Sequence, residues 1–315
     1  MLKNKTTLVL GAGASRAMGF PTGAGLLAAI HNLVTVDRQP FAIQAGLFNP
    51  DGAALYEFID AFRGSQMYSI DSFLARRPQF SDIGKRAIAA VLLECEKASS
   101  LDRCTHADGW MQYLWNKFGA ASWDELDFSC LRVVSFNYDR SLEHYLLQAI
   151  IHSHGVTQKQ ALWKLQGLKV VHVYGSLSAP LPEGDGYLAY GYGTENNAAA
   201  IVAKHLQVIP EGRNDSAVLT LAHEHLLWAD KIAFMGFGFD PVNMGRLDSQ
   251  RTCVRQVDRS GGPAFREIIA TGFGLTDVEI DAAGLLIGNG NASHGRPRFY
   301  KTDCLTMLRE SGILQ

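Results

Sequence analysis

The chain has 315 residues and is 47% hydrophobic, enough to bury a large core in one sizeable domain or in a domain with an insert. Its 29 basic and 31 acidic residues nearly balance and form no basic block, so the charge makes nucleic acid an unlikely direct ligand. The five cysteines, at 95, 104, 130, 253 and 304, form no CxxC pair and no Cys/His cluster, which points away from structural zinc and from a disulfide framework. Met1 to Lys5 run straight into a strand, and no apolar run approaches the roughly 20 residues of a membrane helix. A soluble cytoplasmic protein with reduced thiols and no membrane partner is expected.

Thr7-Leu8-Val9-Leu10 is a short apolar, β-prone run that breaks into Gly11-Ala12-Gly13-Ala14-Ser15 and then Arg16. A buried strand that ends in small residues before a helix lets a ligand's phosphates approach free N–H groups and the positive end of a helix dipole. The turn departs from the common dinucleotide fingerprint, because Arg16 stands where the third glycine belongs. Asp37 is a weak ribose acid, since Gly23 to Asn32 reads as helix.

That helix starts at Pro21-Thr22-Gly23 and carries Leu26, Leu27, Ile30, Leu33 and Val34. Residues 37 to 52 contain Pro40, Gly46, Pro50 and Gly52 and read as a loop. From Ala53 to about Phe118 the signal is helical, with Ile83 to Ala98 as a long amphipathic segment; it predicts an inserted helical block that forms a lid or small domain.

The second predicted strand, Leu131 to Phe136, ends in Asn137-Tyr138-Asp139 and leads into a helix from Leu142 to Ile151. The third, Leu168 to Val173, ends in Tyr174-Gly175-Ser176. Residues 178 to 198 read as a long loop over a site, with Tyr187, Tyr190 and Tyr192 either packed or forming a mobile cover. A helix with Leu219, Leu221, Leu226 and Leu227 leads to the fourth strand, Lys231 to Met235, which ends in Gly236-Phe237-Gly238-Phe239-Asp240. Arg251 to Val257 reads as a fifth strand, Gly288 to Asn291 as a turn, and Phe299 to Leu308 as a closing strand–helix unit. His223 and His225 sit two apart on a helix, on different faces, and read as surface or lid residues rather than ligands of one metal. The alternation predicts an α/β fold: a Rossmann-like parallel sheet with helices on both faces, residues 1–315 forming one domain, with ligands outside the carboxyl ends of the strands.

Four strand endings, GAGAS, SFNYD, VYGS and GFGFD, each carry small or polar groups. In this order they resemble the sirtuin (silent information regulator) superfamily, specifically its prokaryotic sirtuin-like branch, over about residues 5 to 245, and residues 299 to 309 are similar to its closing segment. GAGAS with Gly19-Phe20-Pro21 resembles the family's first nucleotide loop, Asn137-Tyr138-Asp139 its Asn-x-Asp strand end, and Gly236-Phe237-Gly238 the loop facing the second ribose and phosphate.

The resemblance implies a fold that binds NAD as substrate or ligand, without metal, and cleaves the bond from ribose C1′ to nicotinamide. The zinc-ribbon cysteines of the deacylating branch are absent, which favours attack by water over protein deacylation; the broken fingerprint disfavours a dehydrogenase. It further implies a part in anti-phage defence; because a constantly active form would destroy its own cell's NAD, control by homo-oligomerisation or an activating partner protein is expected. The expected NAD-binding residues are Gly11, Ala12, Gly13, Ser15, Arg16, Pro21, Thr22, Asp139, Gly175, Ser176, Gly236, Phe237, Gly238 and Asp240.

Asn137 is expected to hold a ribose hydroxyl or the attacking water, with capping of the next helix as the plainer reading. Asp139 either accepts from the nicotinamide amide or caps that helix. Ser15 and Thr22 are expected donors to phosphate or ribose, Arg16 either neutralises pyrophosphate or is an ordinary surface residue, and Asp240 either touches a ribose or caps a helix. Tyr174 stands where the family has its catalytic His, and His172 lies two residues earlier on what reads as the same strand face. His172 is therefore the expected base, acting through a water, with Tyr174 as a hydrogen-bond donor. If His172 is instead a satisfied core residue, the chain is a module that senses NAD or an ADP-ribose derivative without rapid turnover.

Overall fold

A computed structural model of the chain describes residues 2–48, 52–96, 109–118, 122–178, 187–194, 197–208, 217–253, 266–288 and 297–315. The strands are β1 Thr6–Leu10, β2 Leu131–Ser135, β3 Lys169–His172, β4 Lys231–Met235, β5 Glu267–Thr271 and β6 Arg298–Tyr300. They form one six-stranded sheet in the order β3-β2-β1-β4-β5-β6, and every pairing is parallel. This is the doubly wound Rossmann-like order, which reverses direction between β1 and β4.

The helices are α1 Gly23–His31, α2 Gln39–Gln44, α3 Ala53–Ser65, α4 Ile70–Arg76, α5 Ser81–Cys95, α6 Trp110–Phe118, α7 Ser141–His154 and α8 Gln158–Leu165. They continue with α9 Ala198–Ala203, α10 Ala217–Trp228, α11 Pro241–Arg246, α12 Ser249–Thr252, α13 Asp277–Gly288 and α14 Cys304–Ser311. A 3-10 turn, Ala12–Met18, follows β1 directly.

Strand β1 is central and every residue in it is buried, as expected for a strand covered on both faces. Thr7 points to one face, where its hydroxyl donates to the His225 carbonyl of α10 at 2.8 Å. Leu10, an odd number of residues on, points to the other face, toward Trp110 of α6. One continuous hydrophobic core runs through both layers and includes residues of α3, α4, α5 and α6. The inserted helices pack on α1 and α9, and α6 packs on α7 and α14. No single helix among the described residues is long and apolar enough to cross a membrane.

Two elements and one side chain differ from the sequence reading. Residues 39–44, read as loop, form α2, because Pro40 sits in its first turn, where a missing N–H costs nothing. The fifth strand lies not at Arg251 to Val257 but at Glu267–Thr271, whose Ile268-Ile269-Ala270 run is buried; Arg251 and Thr252 end the short helix α12, and 254–257 lie outside the described residues. His225 is not a surface residue: it is buried, and its Nδ1 lies 3.3 Å from the Val133 carbonyl of β2. The Gly288 turn falls mostly outside the described residues.

Register places the strand ends level: Leu10 is opposite both Ser135 and Met235, and Ser135 is opposite His172. The turns after β1 and β4 then interlock. Gly11 N–H donates to the Met235 carbonyl at 2.9 Å and Gly13 N–H to the Gly236 carbonyl at 3.0 Å. A Cβ on Gly11 would lie 2.5 Å from Gly236 O, and one on Gly236, whose φ is +58°, would lie 2.1 Å from Ala14 N. Backbone cannot yield there as a side chain does, so both positions require glycine. Gly236→Ala is expected to destabilise the fold by roughly 2–4 kcal/mol in denaturant titration. Gly238→Ala, which meets nothing within 4 Å, is expected to change stability by less than about 0.5 kcal/mol.

Candidate functional site

The level strand ends and interlocked turns wall a cleft of about 950 Å³ along the carboxyl edge of the sheet. That is the upper end of the roughly 300–1,000 Å³ common for small-molecule sites, at the topological switch point where such sheets bind ligands. Its lining draws on five segments: the β1 turn and α1 start (Gly11, Ala12, Gly13, Arg16, Thr22), the inserted helices (Ser69, Asp71, Trp110), the β2 end (Phe136, Asn137, Tyr138), Tyr174, and the β4 turn (Gly236, Phe237, Gly238, Asp240, Asn243). Thr271, Phe273 and residues 302–304 close the far end.

Of the residues expected from sequence, Gly11, Ala12, Gly13, Arg16, Thr22, Asn137, Tyr174, Gly236, Phe237, Gly238 and Asp240 meet in this cleft, while Ser15, Pro21, Asp139, His172, Gly175 and Ser176 do not line it. Arg16 is exposed at the mouth, with its guanidinium over the Phe273 ring at 6.0 Å. Thr22 and Asp240 line the cleft but also cap helices: Thr22 Oγ1 accepts from Gly25 N–H at 3.4 Å, and the Asp240 carboxylate from Val242 and Asn243 N–H at 2.9 and 3.2 Å. The tyrosine loop bears on a different place. Tyr190 stacks on His144 with ring centroids 4.1 Å apart, and Tyr187 and Tyr190 line a smaller pocket of about 270 Å³ beside α7 and α8.

Behind the cleft wall lies a buried polar network centred on Asn137. Its Nδ2 donates to the Gly11 carbonyl at 2.9 Å and to Ser15 Oγ at 3.1 Å, and Ser15 Oγ donates to Asp139 Oδ2 at 2.6 Å. Asp139 Oδ1 accepts from the N–H of Ser141, the first residue of α7, at 3.1 Å. Asp139 therefore holds the first N–H of α7 and ties down the first loop, and Ser15 is committed to it rather than to a phosphate. Burial pushes the Asp139 carboxyl up, against the pull of those serine donors. Asn137 does not cap the next helix: its Nδ2 donates to the β1 turn, no hydrogen bond among the described residues uses its Oδ1, and the residue lines the cleft.

His172 does not share a face with Tyr174. Strand β3 stops at His172, the Gly175 N–H donates back to the His172 carbonyl at 3.2 Å, and Gly175 takes φ +77° against the His205 backbone. The turn breaks the two-residue alternation, sending Tyr174 into the cleft and His172 into the smaller pocket. There His172 Nδ1 lies 2.9 Å from the Asn137 carbonyl and Nε2 2.7 Å from Glu143 Oε1. Both partners are pure acceptors, so both ring nitrogens carry protons and the ring is an imidazolium. Although burial lowers it, the pKa is raised to about 9 by the Glu143 carboxylate and these hydrogen bonds, while Glu143 is held below its ordinary range by the His172 charge in spite of its own burial. A doubly donating imidazolium has no lone pair with which to act as a base.

Two features were not read from the sequence. Asp71, in the first turn of α4, accepts a hydrogen bond from the Tyr138 hydroxyl at 3.1 Å, and burial raises its carboxyl to about 6. The buried pair Arg140–Glu96, bidentate at 2.8 Å, also binds the carbonyls of Leu188 and Ala189 and fixes the tyrosine loop. Tyr174 donates to Asn243 Oδ1 and faces Arg246, whose guanidinium lies 5.2 Å from its ring; burial pushes its hydroxyl up to about 12. Among the described residues no group of three or more His, Cys, Asp or Glu is placed to hold a metal. No protein-family model matches the chain, and a search of curated proteins finds no match.

The His172–Glu143 pair makes a pH prediction. His172 has a raised folded pKa, so its stabilisation is complete below the unfolded value of 6.5 and is lost as pH rises through about 9. Denaturant midpoints of the wild type should fall between pH 6.5 and 9.5 by a component that is missing in Glu143→Gln. That variant should lose roughly 3 kcal/mol at pH 6.5, because it leaves a buried charge without its partner.

Proposed function

We propose that the cleft binds NAD and that the chain hydrolyses the nicotinamide–ribose bond. The observation that carries this reading is the interlocked pair of glycine turns, which walls a dinucleotide-sized cleft at the point where strand order reverses, with Asn137 on its lining. Backbone N–H groups of the β1 turn and the Arg16 guanidinium are suited to the pyrophosphate. Nicotinamide in NAD is a cationic leaving group, so the transition state has oxocarbenium character, and the protein's task is to orient the ribose, exclude bulk water and place one water. Asn137 Oδ1 is available to accept from a ribose hydroxyl or that water, and Trp110, Phe136, Tyr138 and Phe237 supply apolar walls. His172 positions Asn137 from behind through its carbonyl, without touching substrate. A role in anti-phage defence, with control by self-association or a partner protein, rests on the sequence resemblance alone.

A second reading is favoured by one observation: the imidazolium state of His172 removes the base expected from the sequence, which suits a module that senses NAD or an ADP-ribose derivative.

Nicotinamide release from NAD, measured beside calorimetric binding of ADP-ribose, separates the two. Hydrolysis predicts release by the wild type and a loss of at least about 100-fold in Asn137→Ala; binding without release at any enzyme concentration or pH selects the sensor. Arg16→Ala is expected to weaken ADP-ribose binding about tenfold and to flatten its dependence on salt, as for loss of a cation beside pyrophosphate. Unchanged affinity would remove the pyrophosphate from the β1 turn.

A further inference from the structure

We infer that Asp71, carried into the cleft by the inserted helices, is the base that takes the proton from the attacking water; this rests on the hydrolysis proposed above. Among the described residues three carboxylates line the cleft: Asp71, Asp240 and Asp303. Two serve as helix caps. Asp240 holds the first N–H groups of α11, and Asp303 those of α14, accepting from the Thr306 N–H at 2.8 Å and from its hydroxyl at 2.8 Å. Asp71 is relieved of that duty, because Ser69 caps α4 by accepting from the Ser72 N–H at 3.3 Å. Its Oδ1 instead meets the Tyr138 hydroxyl, and Tyr138 neighbours Asn137 in the same strand ending. Thus the carboxylate and the candidate ribose-binding amide line one cleft, one brought by the insert and one by the sheet.

The two groups that the sequence singled out for this step are unsuited. His172 is a cation facing the smaller pocket, and the Tyr174 hydroxyl is pushed up to about 12 and donates to Asn243. The titratable groups that face Asp71 are Tyr138, whose hydroxyl also lies 3.2 Å from the Gln207 carbonyl, together with Arg246, Asp240 and Tyr174. Desolvation raises the Asp71 carboxyl, while Tyr138 and Arg246 hold it ionised at neutral pH, where a base near the working pH is most effective.

The step balances without a redox partner. Water oxygen bonds to ribose C1′ as the C1′–nitrogen bond breaks, and that bond's electron pair returns to the pyridine ring, so nicotinamide leaves neutral. The water's proton passes to the Asp71 carboxylate and then to solvent, giving nicotinamide, ADP-ribose and one proton.

The test is the pH dependence of nicotinamide release by the full chain, for wild type and Asp71→Asn, with ADP-ribose binding and thermal melting measured on both. The expected result is a wild-type kcat that rises with a midpoint near pH 6, and an Asp71→Asn variant with kcat at least about 100-fold lower. ADP-ribose affinity should change less than about threefold, and azide, an anionic nucleophile with no proton to lose, should restore nicotinamide release in the variant. Tyr138→Phe, which removes a hydrogen bond to the carboxylate, should move the midpoint to higher pH; it carries the test if Asp71→Asn does not fold. Wild-type kcat in Asp71→Asn, a loss confined to ADP-ribose affinity, failure of azide to restore release, or an unmoved midpoint in Tyr138→Phe would overturn the assignment while leaving hydrolysis intact. No release by the wild type would instead sink hydrolysis and the assignment together.

Discussion

The contact on which the rest depends is backbone against backbone, where the turn after β1 meets the turn after β4. Gly11 and Gly13 approach Gly236 so closely that no side chain fits between them, and two N–H···O bonds fasten the turns. These bonds continue the parallel ladder one step beyond the strands, so the two halves of the sheet leave it at the same height. A residue with a Cβ here would force the halves apart and change the width of the cleft. Phe237 then seals the base of the β4 turn, with its ring 5.0 Å from Phe136 and 5.7 Å from Phe234. The β2 and β4 endings thus share one apolar plug beneath the polar floor.

Asn137 extends this clamp from β1 to β2. Its amide donates to the Gly11 carbonyl and to Ser15, while its own carbonyl accepts from His172 on β3. One residue therefore links the ends of three adjacent strands, and its neighbours Ser15, Asp139, Ser141 and Glu143 complete the network. Satisfied buried networks of this kind specify geometry more than they add stability, because each member left alone would pay for its desolvation. The result is a division between front and back: groups behind the wall are committed to one another, and Asn137 Oδ1, Arg16 and Asp71 are left at the front.

The inserted helices are welded to the sheet rather than hinged beside it. Trp110 Nε1 donates to the Ala14 carbonyl at 2.8 Å, touching the β1 turn itself. Glu96, at the end of α5, holds Arg140 at the entry to α7 in a pair that is almost wholly buried. Asp71 is held to the β2 ending by the Tyr138 hydroxyl, which is why an element remote from the sheet in sequence supplies part of the cleft.

The sequence by itself determined the first four strands, the parallel sheet and the edge on which the cleft lies. Those features follow from local signals: apolar runs such as Leu8 to Leu10 and Ile232 to Met235, and the small residues that stop them. It also marked Gly11, Gly13, Asn137 and Gly236, since a strand ending in such residues is unusual enough to be read without neighbours. The tertiary structure alone decided which way polar side chains turn. Two-residue alternation placed His172 with Tyr174, yet the strand ended one residue too soon for the rule to hold, and the turn at Gly175 separated them. Asp71 looked like any acid in a first helical turn, and its meaning comes from Tyr138 and Arg246, 67 and 175 positions away in the chain. Periodicity is a property of neighbours along the backbone, whereas the field around a buried carboxyl or imidazole is set by groups the fold gathers from far apart.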